Sequence, residues 1–374
     1  MTLRTVLRRI VIVVSVAGAL AVAALAVAYW RSDNNCDAVL AAVPADPMRA
    51  VLFCDYGAPD VLTIHAVDKP TPGEGQVLVL VRAAAINPVE LHAMRGEPYP
   101  MRLDGGLRRP TTLRLGVDFA GTVVAVGPNV IGLTPGAAVF GGRSGALAEY
   151  VVVNERSVVE KPENVSFVQA AAVPVAGVTA LQAVRDKGRV APGHAVLING
   201  ASGGVGTFAV QIAKAHGAVV TGVSSTRNVD LVRSLGADKT IDYTVEDYTR
   251  SPAQYDVIID MVGNHSLLAN RRALRPTGIY VMVGGPSGRW LAPLDRVIRM
   301  TVLSLFIPQE FGFFIARLNG PDLATLRDLM QRGAVTPVID RRYTLTEIRE
   351  AIAYLETGRA RGKVVVTIAG DSDL

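Results

Sequence analysis

Eight consecutive residues, Asn199-Gly200-Ala201-Ser202-Gly203-Gly204-Val205-Gly206, follow an apolar, strand-like run and precede a helix-like one. Ala201, Gly203 and Gly206 occupy the three positions of G-x-G-x-x-G, with alanine in the first. Glycine there lets the backbone approach a pyrophosphate, whose charge is met by amide groups at the start of the following helix. Ser202, Gly203, Gly204, Val205 and Gly206 are therefore expected to bind a dinucleotide. Strand, loop and helix occur in the required order, which a merely glycine-rich turn would not need.

The end of the next strand-like run selects the dinucleotide. A site that prefers NAD places an acid there to meet the ribose hydroxyls, but this chain reads Val223-Ser224-Ser225-Thr226-Arg227-Asn228, with no acid before Asp230. Ser225 can hydrogen-bond a 2′-phosphate and Arg227 can pair with it. NADPH is the expected cofactor; the alternative for Arg227 is a solvated loop arginine.

These residues need elements to hold them. From about residue 49 to 162 the chain is rich in short β-like runs separated by Pro/Gly turns, which predicts an antiparallel β domain. After Gln169, strands alternate with helical stretches, the pattern of a parallel α/β sheet. Residues 285–318 form an apolar stretch punctuated by Arg296 and Arg299 and ending in phenylalanines. It suits a core or dimer helix, a lid on an apolar pocket, or a helix lying on a membrane surface.

Residues 10–30 contain no charge. About 21 residues at about 1.5 Å each reach about 32 Å, enough to cross a bilayer's hydrocarbon core. A transmembrane anchor is expected; a cleaved signal peptide and a buried helix are the alternatives. Arg4, Arg8 and Arg9 precede the run and Arg31 follows it, which favours an external catalytic body. NADPH favours the cytoplasm, and a single-pass protein of the cell membrane with a cytoplasmic catalytic domain is the expectation.

Cys36 and Cys54 are the only cysteines among 374 residues, which excludes a disulfide framework and a cysteine-rich zinc site and leaves the fold to packing. Whether the two pair would report on the compartment. Half the residues are apolar and 19% are charged, which excludes global disorder. The 38 Lys and Arg exceed the 33 Asp and Glu by only five and are scattered, so no nucleic-acid partner is expected.

The run GASGGVGTFAVQIAK at residues 200–214 resembles the signature of the zinc-free quinone oxidoreductase, or zeta-crystallin-like, branch of the medium-chain dehydrogenase/reductase superfamily. Leu235-Gly236-Ala237-Asp238 and Ile241-Asp242-Tyr243 follow as in that branch, and Asn87-Pro88-Val89-Glu90, Met94-Arg95-Gly96 and residues 116–121 (GVDFAG) match its N-terminal domain. The resemblance covers residues 49–368. It implies an α/β architecture, a GroES-like catalytic domain at 49–170, a doubly wound Rossmann domain at 171–308 and a C-terminal segment at 309–374 that returns to the catalytic domain; ahead of these the residues themselves predict the anchor at 1–30 and a linker at 31–48.

Zinc-dependent members of the superfamily carry a cysteine in the segment matching residues 87–92 and Gly-His-Glu where this chain has Gly116-Val117-Asp118. The five histidines are widely spaced, and no metal is expected. Without a Lewis acid, reducing an electron-poor quinone or enone is easier than oxidising an alcohol. The acceptor delocalises the incoming charge, so the protein supplies orientation and a hydrogen-bond donor.

By resemblance, His92 and Asn87 lie beside the nicotinamide, His92 as donor to the substrate and Asn87 as a contact to substrate or ribose. Each has a plainer alternative, a pocket-lining histidine and an ordinary turn asparagine. Thr179, Tyr243, Gly362 and Lys363 are implied as further cofactor contacts. The expected activity is NADPH-dependent reduction of a lipophilic quinone or enone, in a chain that can form a homodimer; the alternative is a non-catalytic NADPH-binding interaction or stress protein.

Overall fold

The computed structural model describes residues 3–31, 33–250, 252, 254–286, 288–290 and 294–368. Leu3–Arg31 is one helix of 29 residues, about 43 Å long. Its described side chains, Ile12 and residues 15–30, are all exposed, including Leu20, Val22, Leu25 and Trp30. Among the described residues no helix is long and apolar enough to cross a membrane. The expected span starts at Ile10, and the side chains of residues 3–11, 13 and 14 lie outside the described ones.

The expected linker is structured. It contains the helix Cys36–Ala41 and runs into the strand Pro47–Phe53, which pairs antiparallel with Leu62–Asp68. Cys36 is buried and joined to Cys54, with the Cα atoms 5.7 Å apart, within the usual range for a disulfide. Packing therefore does not act alone here: one covalent link ties the segment after the first helix to the body.

Gln76–Ile86 is the central strand of a seven-stranded sheet, with Asp118–Val126 on one side and Lys363–Thr367 on the other. The C-terminal strand runs antiparallel to it, Val364 opposite Ile86, so the end of the chain returns to the first domain as the resemblance implied. The second sheet has six parallel strands in the spatial order Lys239–Asp242, Val219–Ser224, Ala195–Asn199, Tyr255–Asp260, Leu274–Met282 and Glu310–Phe313. Counted along the chain this is 3-2-1-4-5-6, the doubly wound order that leaves a crevice between the C-terminal ends of its first and fourth strands.

One apolar core joins the two halves. Ala83, Ala120 and Phe140 from the first sheet pack in the same cluster as Val196, Ile198 and Val210 from the second. Residues 285–318 form the helix Leu294–Ser304 and the edge strand Glu310–Phe313. Met300 is buried and packs with Tyr280 and Phe311, while Ile298 and Val302 remain exposed, so the helix is a core helix with an apolar outer face.

Candidate active site

The strand Ala195–Asn199 leads into a turn at Gly200, whose φ of +86° is the left-handed conformation glycine adopts without strain. The chain then enters the helix Gly204–Ala215. A Cβ on Gly206 would lie 2.1 Å from the Gly200 carbonyl oxygen, so glycine is required there for the loop to close on the helix. Gly203 differs. A Cβ there would meet only the Gly200 oxygen, at an ordinary 3.4 Å, so the protein itself does not demand glycine at that position. The bare backbone at 203 is what a pyrophosphate approaching the first helical amides needs.

The strand Val219–Ser224 brings the ribose end to this loop. Asn228 Nδ2 donates to Ser202 Oγ at 3.0 Å and to Ser225 Oγ at 3.3 Å, while the buried Asn228 Oδ1 has no hydrogen-bond partner. Tyr243 N donates to Ser224 O at 3.0 Å, which sets the exposed Tyr243 ring beside the same corner. Arg227 is exposed and donates from Nη2 to the Arg359 carbonyl at 2.9 Å. The sequence reading missed Asn228; its place three residues after Ser225 was the available signal. The orphaned amide oxygen is an acceptor for a ribose hydroxyl, and the open backbone at Gly203 fits a pyrophosphate, so the corner fits a dinucleotide.

Gly362 has a φ of +90°, and its N–H donates to Ser202 O at 2.9 Å, which brings the C-terminal segment onto the glycine loop. Lys363, expected as a cofactor contact, has its ammonium engaged within the protein. Only 3% exposed, it runs past Gly204 and turns its ammonium inward, donating to Asn87 Oδ1 and to Asp118 Oδ2 at 3.3 Å. Burial in a low-dielectric site draws the ammonium to the nearest carboxylate. Asn87, expected to contact substrate or ribose, is committed likewise: its Nδ2 donates to Asp118 Oδ2 at 3.0 Å. Asp118 Oδ1 accepts from Val175 N at 2.9 Å, which ties the cluster to the helix Pro174–Leu181. In that helix Thr179 donates its hydroxyl to Val175 O at 2.6 Å, leaving only acceptor capacity for a ligand.

Among the described residues no three or more His, Cys, Asp or Glu side chains converge as a metal would require. Asn87 and Asp118 instead share a buried ammonium, a donor set that does not fit zinc.

Glu90 completes the cluster. It caps the helix Pro88–Arg95 by accepting from Asn87 N at 2.7 Å, and its Oε1 has no partner. Burial pushes its pKa up to about 8, the Asp118 carboxylate adding to the effect and Lys363 opposing it. A carboxyl that binds its proton more tightly folded than unfolded stabilises the fold at low pH, and that contribution is lost as pH rises toward the folded value. Relative to Glu90→Gln, the wild-type melting temperature is expected to fall as pH rises from about 5 to about 8 and to level off beyond it. Parallel melting curves across that range would refute the assignment.

His92 sits on the same helix, half-buried, with Nδ1 2.8 Å from the Glu97 carbonyl oxygen. A carbonyl only accepts, so Nδ1 carries the proton and Nε2 is the nitrogen left for a substrate. Neutral, Nε2 accepts; as imidazolium it donates.

At the crevice of the second sheet, the fully buried Asp260 accepts from Asn199 Nδ2 at 2.8 Å, Tyr280 OH at 2.6 Å and the backbone N–H groups of Val262 and Gly263. Arg296 Nη2 donates to Tyr280 OH at 2.8 Å, fastening the helix Leu294–Ser304 to this loop. The sequence offered no sign of this network, whose members lie far apart in the chain.

Comparison with known proteins agrees with this geometry. A family model described as alcohol dehydrogenase GroES-like domain matches residues 73–163, and one described as zinc-binding dehydrogenase matches residues 235–366. The chain is 35% identical over 339 residues to a 2-methylene-furan-3-one reductase of Solanum lycopersicum, covering 87% of this chain and 80% of that protein. It is also 35% identical to a chloroplastic NADPH-dependent alkenal/one oxidoreductase of Arabidopsis thaliana, covering 87% of this chain and 81% of the relative. The structure of a quinone oxidoreductase from Coxiella burnetii superposes with a TM-score of 0.76 at 31% identity, covering 87% of this chain and all of that one. With two relatives 35% identical over most of both chains and a matching overall fold in a solved structure, the chain belongs to the medium-chain dehydrogenase/reductase superfamily.

Proposed function

We propose that this protein is an NADPH-dependent reductase of quinones or α,β-unsaturated carbonyls, held at a membrane by its N-terminal helix. The observation that carries the reading is the corner formed by Gly203, Ser202, Ser225 and Asn228, open to a ligand and free of the acid a 2′-hydroxyl would call for. The names of the alkenal/one and furanone reductases support the acceptor class. When bound, NADPH supplies the hydride. The chain supplies the rest. The helix amides behind Gly203 hold the pyrophosphate, Ser225 and Arg227 meet the 2′-phosphate, and the Asp260 network keeps the crevice loop rigid. As imidazolium, His92 donates from Nε2 to the acceptor oxygen on which negative charge develops; proton and hydride together complete the two-electron reduction.

Turnover separates this reading from a non-catalytic NADPH-binding protein. Loss of NADPH absorbance is expected with a panel of naphthoquinones and enones, at least about tenfold more efficiently than with NADH, since a guanidinium and phosphate pair contributes about 1.5–3 kcal/mol. No turnover with any acceptor would overturn the reading, and an unchanged preference in Arg227→Ala would remove Arg227 from the site.

The exposed apolar face of Leu3–Arg31 supports the anchor. We place the catalytic body on the cytoplasmic side, where NADPH is supplied, although the arginines ahead of the uncharged run at residues 10–30 and the joined cysteines favour the other face. Thiol trapping in intact cells tests this placement: free thiols at Cys36 and Cys54 support it, and retention of the Cys36–Cys54 bond seen in the structure reverses the topology. The edge strand Glu310–Phe313, flanked by exposed Leu305, Phe306 and Ile315, supports a homodimer.

A further inference from the structure

The foot of the N-terminal helix is clamped to one rim of the catalytic body. Asn34 Nδ2 donates to Cys54 O at 2.9 Å and to Pro110 O at 3.0 Å. Arg109 pairs with Asp33 at 3.3 Å and with Asp55 at 2.8 Å, contacts that hold with or without the Cys36–Cys54 bond. The guanidinium of Arg108 lies over the Trp30 ring at 5.9 Å. The last described turn of the helix therefore lies beside residues 108–110 of the body.

The same rim continues to the segment that holds His92. Arg102 lies over the rings of Tyr56 and Tyr99, at 4.3 and 4.9 Å. Tyr99, from the GroES-like domain, meets Trp290, from the Rossmann side, edge to face at 4.8 Å, and its N–H donates to Arg289 O at 2.8 Å. Arg289 pairs with Glu97, whose carbonyl holds the His92 ring. Trp290, Leu103 and Met101 are nonetheless exposed, at 68%, 69% and 44%. Large apolar side chains interleaved with arginines suit the boundary between headgroups and acyl chains, where tryptophan settles and arginine meets lipid phosphate.

We propose that this rim rests on the bilayer that holds the N-terminal helix, so that the acceptor reaches His92 from the lipid phase. The substrate class is then a membrane-dissolved quinone or lipid-derived enone rather than a water-borne one. The occupant of the rim is the lipid surface itself, argued from its continuity with the helix foot and from the arginines set among its apolar residues. The inference rests on the anchor reading above.

Trp30 and Trp290 are the only tryptophans, so each can be read alone in the full-length protein. In vesicles of phosphatidylcholine and phosphatidylglycerol carrying brominated acyl chains, the Trp30→Phe variant is expected to lose much of its Trp290 fluorescence. Trp290→Phe reports on Trp30 in the same vesicles. Quenching of Trp30 without quenching of Trp290 would overturn the inference while leaving the anchor intact, and quenching of neither would overturn both. Leu103→Glu supplies a kinetic readout: KM for a quinone dissolved in the vesicles is expected to rise while kcat holds, and an unchanged KM would also count against the inference.

Discussion

Gly203→Val is expected to abolish NADPH binding in a chain that still folds. No protein atom comes closer than 3.4 Å to a Cβ at this position, and the backbone, with φ −82° and ψ 178°, is one any residue adopts. The branched side chain would instead occupy the space through which a pyrophosphate reaches the helix amides. Gly206→Val is the contrasting case, because its Cβ would be driven into the Gly200 carbonyl and the loop itself would have to move. Fluorescence titration with NADPH, together with near-ultraviolet circular dichroism, separates the two. Retained affinity in a folded Gly203→Val variant would show that the cofactor does not lie on this loop.

The second large effect is expected at Lys363. Its ammonium is the only cation that hydrogen-bonds the buried Asp118 carboxylate among the described residues, and Asp118 is wholly inaccessible. Removing one partner of a buried pair typically costs about 3–5 kcal/mol, because the other charge is left without compensation. Lys363→Met should therefore lower the denaturant midpoint sharply, and pairing it with Asp118→Asn should restore part of the loss, since the second change removes the stranded charge. If the double variant were no more stable than Lys363→Met, the two groups would not be coupled. The contact lies within the first sheet, between the strand Asp118–Val126 and the returning strand Lys363–Thr367, and Lys363 also borders the glycine loop at Gly204. Loss of the pair should thus weaken NADPH affinity as well as the fold.

Apolar Ala195–Asn199, the glycines after it and the helix Gly204–Ala215 were legible in the sequence because each obeys a local rule: a buried parallel strand, a turn with positive φ, an apolar run long enough for a buried helix. The absence of an acid at residues 223–229 is likewise a statement about one short segment. The edge strand Glu310–Phe313, four residues long, was not legible, because so short a run carries no usable period. The linker's structure was hidden for another reason. Cys36 and Cys54 are 18 residues apart, and whether they meet depends on how the intervening chain folds back.

What the sequence determined by itself was the family, the two-domain order and the nucleotide loop, all encoded in contiguous segments whose backbone geometry fixes residue type. What tertiary structure alone decided was which distant groups meet the buried Asp118, Lys363 and Asp260. Asn87 and Asp118 meet Lys363 across 276 and 245 residues, and Asp260 meets Arg296 only after an intervening strand. A lysine before the last strand reads equally well as a phosphate contact or a buried counter-ion. The choice falls to whichever carboxylate the fold leaves without water, and that is set by the crossing of distant strands.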